Sequence, residues 1–487
     1  MKNIFLIAIL TVLLTFSCTK LEDLNVNVKN PSQVPGETLF TSAQKQMVDQ
    51  MCSTNVNFNI WKLIVQYWTE VTYTDERNYD LVTRTIPQGH WDEIYKDVLK
   101  DLKEADKIIR ETEVFDEYEI QKTNKLAIIE IMNVYAWSIL VETFGDVPYD
   151  QALDINMLSP RYDDASYIYT DLIQRLSDAT ASLDPSNEFG SFGNADNLYK
   201  GDVGKWIKFA NSLRLRMGML LADIDPTLSR STVEDAIDPI NGGVFTSNAD
   251  NALFAYSSIQ PNTNPLYVEL VASGRYDFIP TNTIIDKMNL LDDPRRSAYF
   301  SEYQGGYQGG DPGLENSYVN NSHAGAILHD PTFKGNILDY SEVEFLLAEA
   351  VERGYTVPGT AEEHYNNAII ASIEYWGGKV ADANTYLAQP EVAYTTALAA
   401  SSATDPWKEV IGTQKWFALY SRGFEAWTEW RKFDFPVLIA PPDAVSVTPL
   451  RFTYPIIEQT LNASGWSAAS IAIGGDDVAT RLFWDTQ

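Results

Sequence analysis

YKDVLKDLKEA (Tyr95–Ala105) and YTDLIQRLSDA (Tyr169–Ala179) are one pattern written twice, 74 residues apart. Each copy reads Tyr-x-Asp, two aliphatics, then Leu and Ala at steps of three. Around the first copy the spacing continues through Trp91, Ile94, Val98, Leu102, Ala105 and Ile109. Apolar residues three and four apart share one face of a helix, so Trp91–Arg110 is predicted as an amphipathic helix. A more apolar segment follows each copy: Leu126–Phe144, then Trp206–Asp223. In the first of these Ile128, Ile131, Tyr135, Ile139 and Val141 leave no polar face, which predicts burial on most sides. Gly145, Asp146 and Pro148 end it. Tyr365-x-x-Ala368-Ile369 is a degenerate further copy, preceded by the apolar helix Tyr340–Val351. Helix pairs at a recurring offset predict tetratricopeptide-like units.

The fold class expected is therefore mainly α, a tetratricopeptide-like helix-pair scaffold with a loop-rich face and few short strands. Residues 241–335 break the helical texture. They are rich in Gly, Asn, Asp, Ser and Tyr, as in Gly305-Gly306-Tyr307-Gln308-Gly309-Gly310-Asp311 and Asn320-Asn321-Ser322-His323. Loops on a rigid scaffold are where binding residues concentrate. No composition break divides the remainder, so 37–487 reads as one helical domain with this insertion. At 487 residues and 45% hydrophobic, the chain can bury a large core.

The amino terminus reads as a leader. Lys2 is followed by Ile4–Phe16, apolar except for Thr11 and Thr15. As a helix such a segment is roughly 20 Å long, short of the ~20 residues a membrane span needs. Residues 1–17 thus resemble a secretory signal. Leu14-Thr15-Phe16-Ser17-Cys18 is similar to a bacterial lipobox, which makes Cys18 the expected lipid anchor and residues 18–36, with Asn25, Asn27, Asn30, Pro31 and Pro35, a tether. Cys52, the second of two cysteines, then has no partner, and the fold must rest on its core. The net charge of −31 opposes nucleic-acid binding and charge-driven attachment to anionic membranes.

Catalytic patterns fail one by one. His90, His323, His329 and His364 show no metal spacing and no H-E-x-x-H, so no metal site is expected. Gly201-Asp202-Val203-Gly204-Lys205-Trp206 lacks the spacing and the hydroxyl residue of a phosphate loop and reads as a turn that caps a helix near Val203. Neither G-x-S-x-G nor an EF-hand loop occurs. No cofactor is expected; a structural calcium ion on scattered loop carboxylates is left open. Glu425 and Glu429 lie four apart on one helical face and could form a glycosidase pair. Arg422 and Arg431 flank them, and ion pairing between helices is the ordinary outcome.

Aromatic residues are the surplus: 12 Trp, 26 Tyr and 21 Phe. Most should pack helix pairs, but several stand in polar, non-periodic sequence. Trp68, Tyr73 and Tyr79 lie among Arg77, Asn78 and acidic residues; Tyr276, Tyr303, Tyr307 and Tyr318 lie in the insertion. An aromatic face suits the C–H face of a sugar ring, and neighbouring Asn, Asp and Arg can bond its hydroxyls. The candidate ligand contacts are thus Trp68, Tyr73, Arg77, Asn78, Tyr79, Tyr276, Tyr303, Tyr307 and Tyr318.

Several longer segments resemble the SusD-like (SusD/RagB) outer-membrane lipoproteins of Bacteroidetes, in particular the branch with a Gln-Lys-Trp segment near the carboxyl end. They are Asn27–Leu39, Glu142–Tyr149, Gly201–Arg216, Tyr340–Ala350, Gln414–Tyr420 and Glu425–Arg431. The resemblance implies four tetratricopeptide-like helix pairs, a loop-rich ligand face and no catalysis. It implies capture of oligosaccharides, or of peptides or other nutrients, for a SusC-type TonB-dependent transporter on which the protein sits as a lid. Lys20–Asp23 is similar to the acidic signal that sends such lipoproteins to the cell exterior. No fixed motif carries the family's aromatic platform, so the contacts above rest on local texture. Two other readings stand beside this one: a surface-anchored helical glycoside hydrolase, whose turnover Glu425→Gln would abolish, and a scaffold for other surface proteins.

Overall fold

The computed structural model describes residues 34–486; the leader, Cys18 and almost all of the tether lie outside the described residues. Ten principal helices carry the fold. The first, α1 (Gly36–Cys52), packs along α2, which runs over residues 86–111 as Ile86–Asp92, a π-turn at Glu93–Leu99 and Lys100–Glu111. There follow α3 (Glu119–Phe144), α4 (Ala165–Ser182), α5 (Val203–Leu220), α6 (Pro226–Ala236), α7 (Tyr340–Glu352), α8 (Ala361–Tyr375), α9 (Pro406–Ala418) and α10 (Gly423–Phe433). Four pairs follow one another, α2 on α3, α4 on α5, α7 on α8 and α9 on α10, and α3 packs on α4 to join the first two.

The repeat that opened the sequence analysis is the inner face of this stack. Val98, Leu99, Leu102 and Ala105 in the first copy, and Leu172, Ile173, Leu176 and Ala179 in the second, are all buried. The two repeat tyrosines are both buried but bond different partners. Tyr95 donates to the carbonyl of Pro148 at 2.7 Å and Tyr169 to a carboxylate oxygen of Glu142 at 3.0 Å. Asp side chains cap the helices that follow turns: Asp164 accepts from the backbone of Tyr167, Asp202 from Lys205 and Asp339 from Glu342. The Gly201–Trp206 segment is thus a helix cap. By length and composition α3 could cross a membrane, yet most of it is buried among the other helices, as its all-round apolar pattern predicts.

The described strands form three antiparallel pairs: β1 (Trp68–Glu70) with β5 (Phe278–Pro280), β2 (Val147–Pro148) with β3 (Tyr162–Asp163), and β4 (Ala252–Phe254) with β6 (Gly335–Leu338). Between β4 and β6 the chain is mostly loop, with one nine-residue helix at Asn282–Leu290. The glycine run there has a steric cause. Gly310 donates to Pro280 at 3.0 Å and accepts from Asn282 at 2.8 Å, laying the loop along the end of β5. A Cβ at Gly309 would lie 2.3 Å from the backbone nitrogen of Asn282.

The family-like segments Gly201–Arg216, Tyr340–Ala350, Gln414–Tyr420 and Glu425–Arg431 contribute to the core. Glu342 on α7 bonds Arg216 of α5 at 2.7 and 2.9 Å and Arg422, just before α10, at 2.6 Å. Lys415 of the Gln-Lys-Trp segment meets Glu429 at 2.8 Å, and Lys432 meets Glu349 of α7 at 2.6 Å. Trp416 donates to the carbonyl of Val65 at 3.0 Å. These bonds tie α5, α7, α9 and α10 together.

Candidate ligand-binding surface

The β1–β5 pair places the candidate residues. Its register sets Glu70 opposite Phe278, and Val71 donates to Asp277 at 2.8 Å. Tyr73, just after β1, and Arg275 and Tyr276, just before β5, therefore meet at one end of the ladder. The guanidiniums of Arg84 and Arg275 each lie over the Tyr73 ring, 4.9 Å from its centroid. Tyr276 is 65% exposed, and its ring centroid lies 4.9 Å from that of Tyr318. Tyr318 in turn stacks on His323 at 3.8 Å and 13°, and its carbonyl contacts the His323 ring nitrogen Nε2 at 2.8 Å. The result is a connected run of rings, Tyr276, Tyr318 and His323, beside an arginine-bracketed tyrosine. Only Tyr276 offers a widely open face.

Four candidates from the first cluster lie inside the protein. Trp68 is 2% exposed, and its Nε1 donates to the Tyr420 hydroxyl at 2.7 Å. Tyr79 is 1% exposed. Arg77 is buried and donates to the carbonyl of Glu70 at 2.7 Å. Asn78 is buried and donates to the carbonyls of Thr74 at 2.9 Å and Gly313 at 3.3 Å. Polar sequence around these residues suggested a surface, but Glu76 pairs with Arg84 and Arg77 bonds the backbone of Glu70, and the segment packs inward. Tyr303 and Tyr307 are half-buried. Tyr303 accepts from Gln304 at 2.9 Å, and Tyr307 packs between Phe300 and the Arg296 guanidinium. Sequence reasoning missed Arg84, Arg275 and the stacking role of His323. The adjacent pair Arg275-Tyr276 in loop sequence was the available signal.

Burial, then the neighbouring Asp277, pushes the Glu70 carboxyl beneath this surface up to about 8, against the pull of Arg84, Arg77 and Arg275. It is therefore mostly protonated at neutral pH. The carboxylates that could have been catalytic are unreachable. Glu425 is buried beside Arg422 at 3.3 Å and Arg216 at 3.9 Å, and Glu429 beside Lys415. Among the described residues no group of His, Cys, Asp and Glu could hold a metal ion.

Residues 28–455 match the SusD-like family, described as starch-binding and associating with the outer membrane. The chain belongs to the SusD-like family. A chitin-binding protein of known structure is 25% identical, with 93% of this chain and 100% of that one covered at a TM-score of 0.77. A SusD homologue from Bacteroides uniformis is 24% identical over 93% and 99% of the two chains, with a TM-score of 0.78. A chitin-binding SusD homologue from Flavobacterium johnsoniae is 24% identical over 93% and 98%, with a TM-score of 0.75. No curated protein sequence matches the chain. As a SusD-like protein it has a carbohydrate-binding role and an outer-membrane association, and it is a binding protein rather than an enzyme.

Proposed function

We propose that this SusD-like protein captures oligosaccharides at the outer face of the outer membrane, anchored through a lipid on Cys18, and delivers them to a SusC-type TonB-dependent transporter. The observation that carries the binding part is Tyr276: an open aromatic ring held in place by Tyr318, which His323 backs. A sugar ring stacked there would gain the contact area of a flat, apolar face. Arg275, next to Tyr276 in sequence and ion-paired with Asp277 at 2.5 Å, is the charged side chain available to bond hydroxyl groups there. The wider surface is acidic, which favours a neutral glycan over a polyanionic one.

The test is a panel of maltooligosaccharides, chitooligosaccharides and short neutral peptides, titrated by calorimetry against the wild type and Tyr276→Ala. Binding of one glycan class, weakened about tenfold by the substitution as loss of roughly 1.4 kcal/mol would give, supports the reading. Glycan binding that Tyr276→Ala and Tyr318→Ala leave unchanged would refute the platform. Peptide binding without glycan binding would refute the ligand class. Delivery is read separately, by co-purification with a transporter partner and by growth on the bound glycan.

A further inference from the structure

Ile155 and Leu158, in the loop between β2 and β3, are 90% and 88% exposed. Further apolar side chains stand open beside them. Asn462 donates to the carbonyl of Pro160 at 2.7 Å and Tyr162 to Glu458 at 2.9 Å, which sets the loop against residues 456–461. There the exposed Ile456 and Ile457 line a cleft of about 340 Å³ that Lys96 of α2 also lines. Lys103 of α2 donates to the carbonyl of Leu153 at 2.9 Å, so the loop lies along that helix as well. The outer face of α2 is a line of cations. Lys96, Lys100, Lys103, Lys107 and Arg110 are all exposed, and at 3.6 residues per turn they fall within about 40° of one line. Asp92, Glu104 and Asp106 pair with Lys96, Lys107 and Arg110 at 2.7, 3.6 and 2.7 Å. Lys100 and Lys103 are in no ion pair among the described residues, although Asp101 and Asp154 stand near them. The tether enters at the same helix. A Cβ on Gly36, where α1 starts, would lie 2.7 Å from Ile109 and 3.0 Å from the carbonyl of Ala105. Ile109 is about 9 Å along the axis of α2 from Lys103.

We propose that this surface rests on the lipid bilayer, with the Ile155–Leu158 tip set among the headgroups and the lysines of α2 against anionic lipid. Open aliphatic side chains flanked by lysines are the composition of an interfacial contact, because the apolar tips leave water while the ammonium groups stay at headgroup level. The net charge of −31 does not oppose this. Charges beyond a Debye length, about 10 Å at 0.1 M salt, are screened, so the local stripe decides the attraction. The inference rests on the anchor reading above for the side from which the membrane approaches. The tether from Cys18 to Gly36 spans at most ~60 Å even when extended, which keeps this edge of the body within reach of the bilayer. One acyl chain holds a protein only marginally, so a second contact beside the tether adds to the attachment and fixes which face of the body looks outward. The surface uses none of the rings around Tyr276.

The test reconstitutes the full lipoprotein in vesicles of phosphatidylethanolamine with phosphatidylglycerol, and separately in phosphatidylcholine. Ile155→Cys and Leu290→Cys each carry an environment-sensitive dye; Leu290 is equally open but lies in the insertion and is the control. Cys52 is buried and takes no dye. Dye uptake by the parent protein reads the anchor separately, since a lipidated Cys18 has no free thiol; if it is labelled, the anchor reading fails and the same dyes are compared in a Cys18→Ser background. A spin-labelled lipid should quench the dye at 155 about threefold more than the dye at 290, as a depth of ~5–10 Å in the headgroup region gives. Lys100→Glu with Lys103→Glu should lower the quenching at 155 by about half in the anionic vesicles and leave it unchanged in phosphatidylcholine. All these positions are exposed, and circular dichroism confirms folding. Equal quenching at 155 and 290 overturns the proposal. So does shielding of the dye at 155 that appears only when outer-membrane proteins are added and brings no lipid quenching, which would assign the surface to a protein partner.

Discussion

Glu342→Gln tests whether the buried charges at the centre of the helix pairs hold the fold. Glu342 is buried in the first turn of α7 and bonds both Arg216 and Arg422. Burial alone would push its carboxyl up; the two guanidiniums outweigh it and hold the group at about 2, against an ordinary 4.5. Gln has the shape of the protonated acid, so the linkage energy is also the expected cost of the substitution. A shift of 2.5 pH units at about 1.36 kcal/mol each gives roughly 3 kcal/mol. That agrees with the ~3–5 kcal/mol typical of removing one partner from a buried ion pair. Asp339 and Glu425 still face Arg422, which places the cost at the lower end. For about 450 residues melting as one unit, unfolding entropy near 1 kcal/mol/K turns this into a drop of about 3 °C at pH 7. The sign with pH is fixed. A carboxyl depressed in the fold stabilises above its unfolded pKa, and that contribution fades as pH falls from about 4.5 to 2. Wild type and variant should therefore converge in stability across that window. A variant within about 1 kcal/mol of wild type at pH 7, or a gap that persists at pH 2, would refute the reasoning.

Other outcomes follow from single residues. His90 is buried and held neutral, pushed down to about 3 by burial; its contribution is present above about pH 6.5, and about 2 kcal/mol of it is gone by pH 5. Urea titrations of His90→Gln should lack that acid slope, and parallel curves would contradict it. Trp68→Ala should lower the unfolding free energy by about 3–5 kcal/mol, whereas Tyr276→Ala should leave the melting temperature unchanged; the reverse ranking would restore Trp68 as a surface contact. Gly309→Ala should displace the loop that carries Tyr318, visible as a weaker glycan isotherm with the helical circular dichroism retained. Cys18→Ala should release the protein from the outer membrane with ligand binding intact, read by fractionation; retention on the membrane would end the anchor reading.

Local pattern was enough for the scaffold. The three-and-four spacing of Tyr95–Ala105 and its copy named the buried faces residue by residue, and Gly145 and Asp202 marked where helices stop and start. Periodicity works there because each helix meets its neighbour along one stripe, so burial is written in the spacing. It also gave Leu126–Phe144 as an inner helix. What spacing could not reveal was the partner of each charge. Glu425 and Glu429 are expected to form ion pairs between helices, and they do, but the partners Arg216 and Lys415 and the link from Lys432 to Glu349 come from the packing of separate helices.

The same reason divides the binding surface. Composition pointed to aromatic residues in loops, and Tyr276 and Tyr318 are indeed brought together. Trp68, Arg77, Asn78 and Tyr79 carry the same local texture and are buried. Nothing within a few residues of Trp68 distinguishes the two cases; Tyr420, Gly313 and the β1–β5 register do. The sequence by itself determined that helix pairs form and which face of each is apolar. Only the tertiary structure decided which polar residues would find partners in the interior and which rings would be left facing solvent, because that depends on contacts between segments more than 200 residues apart.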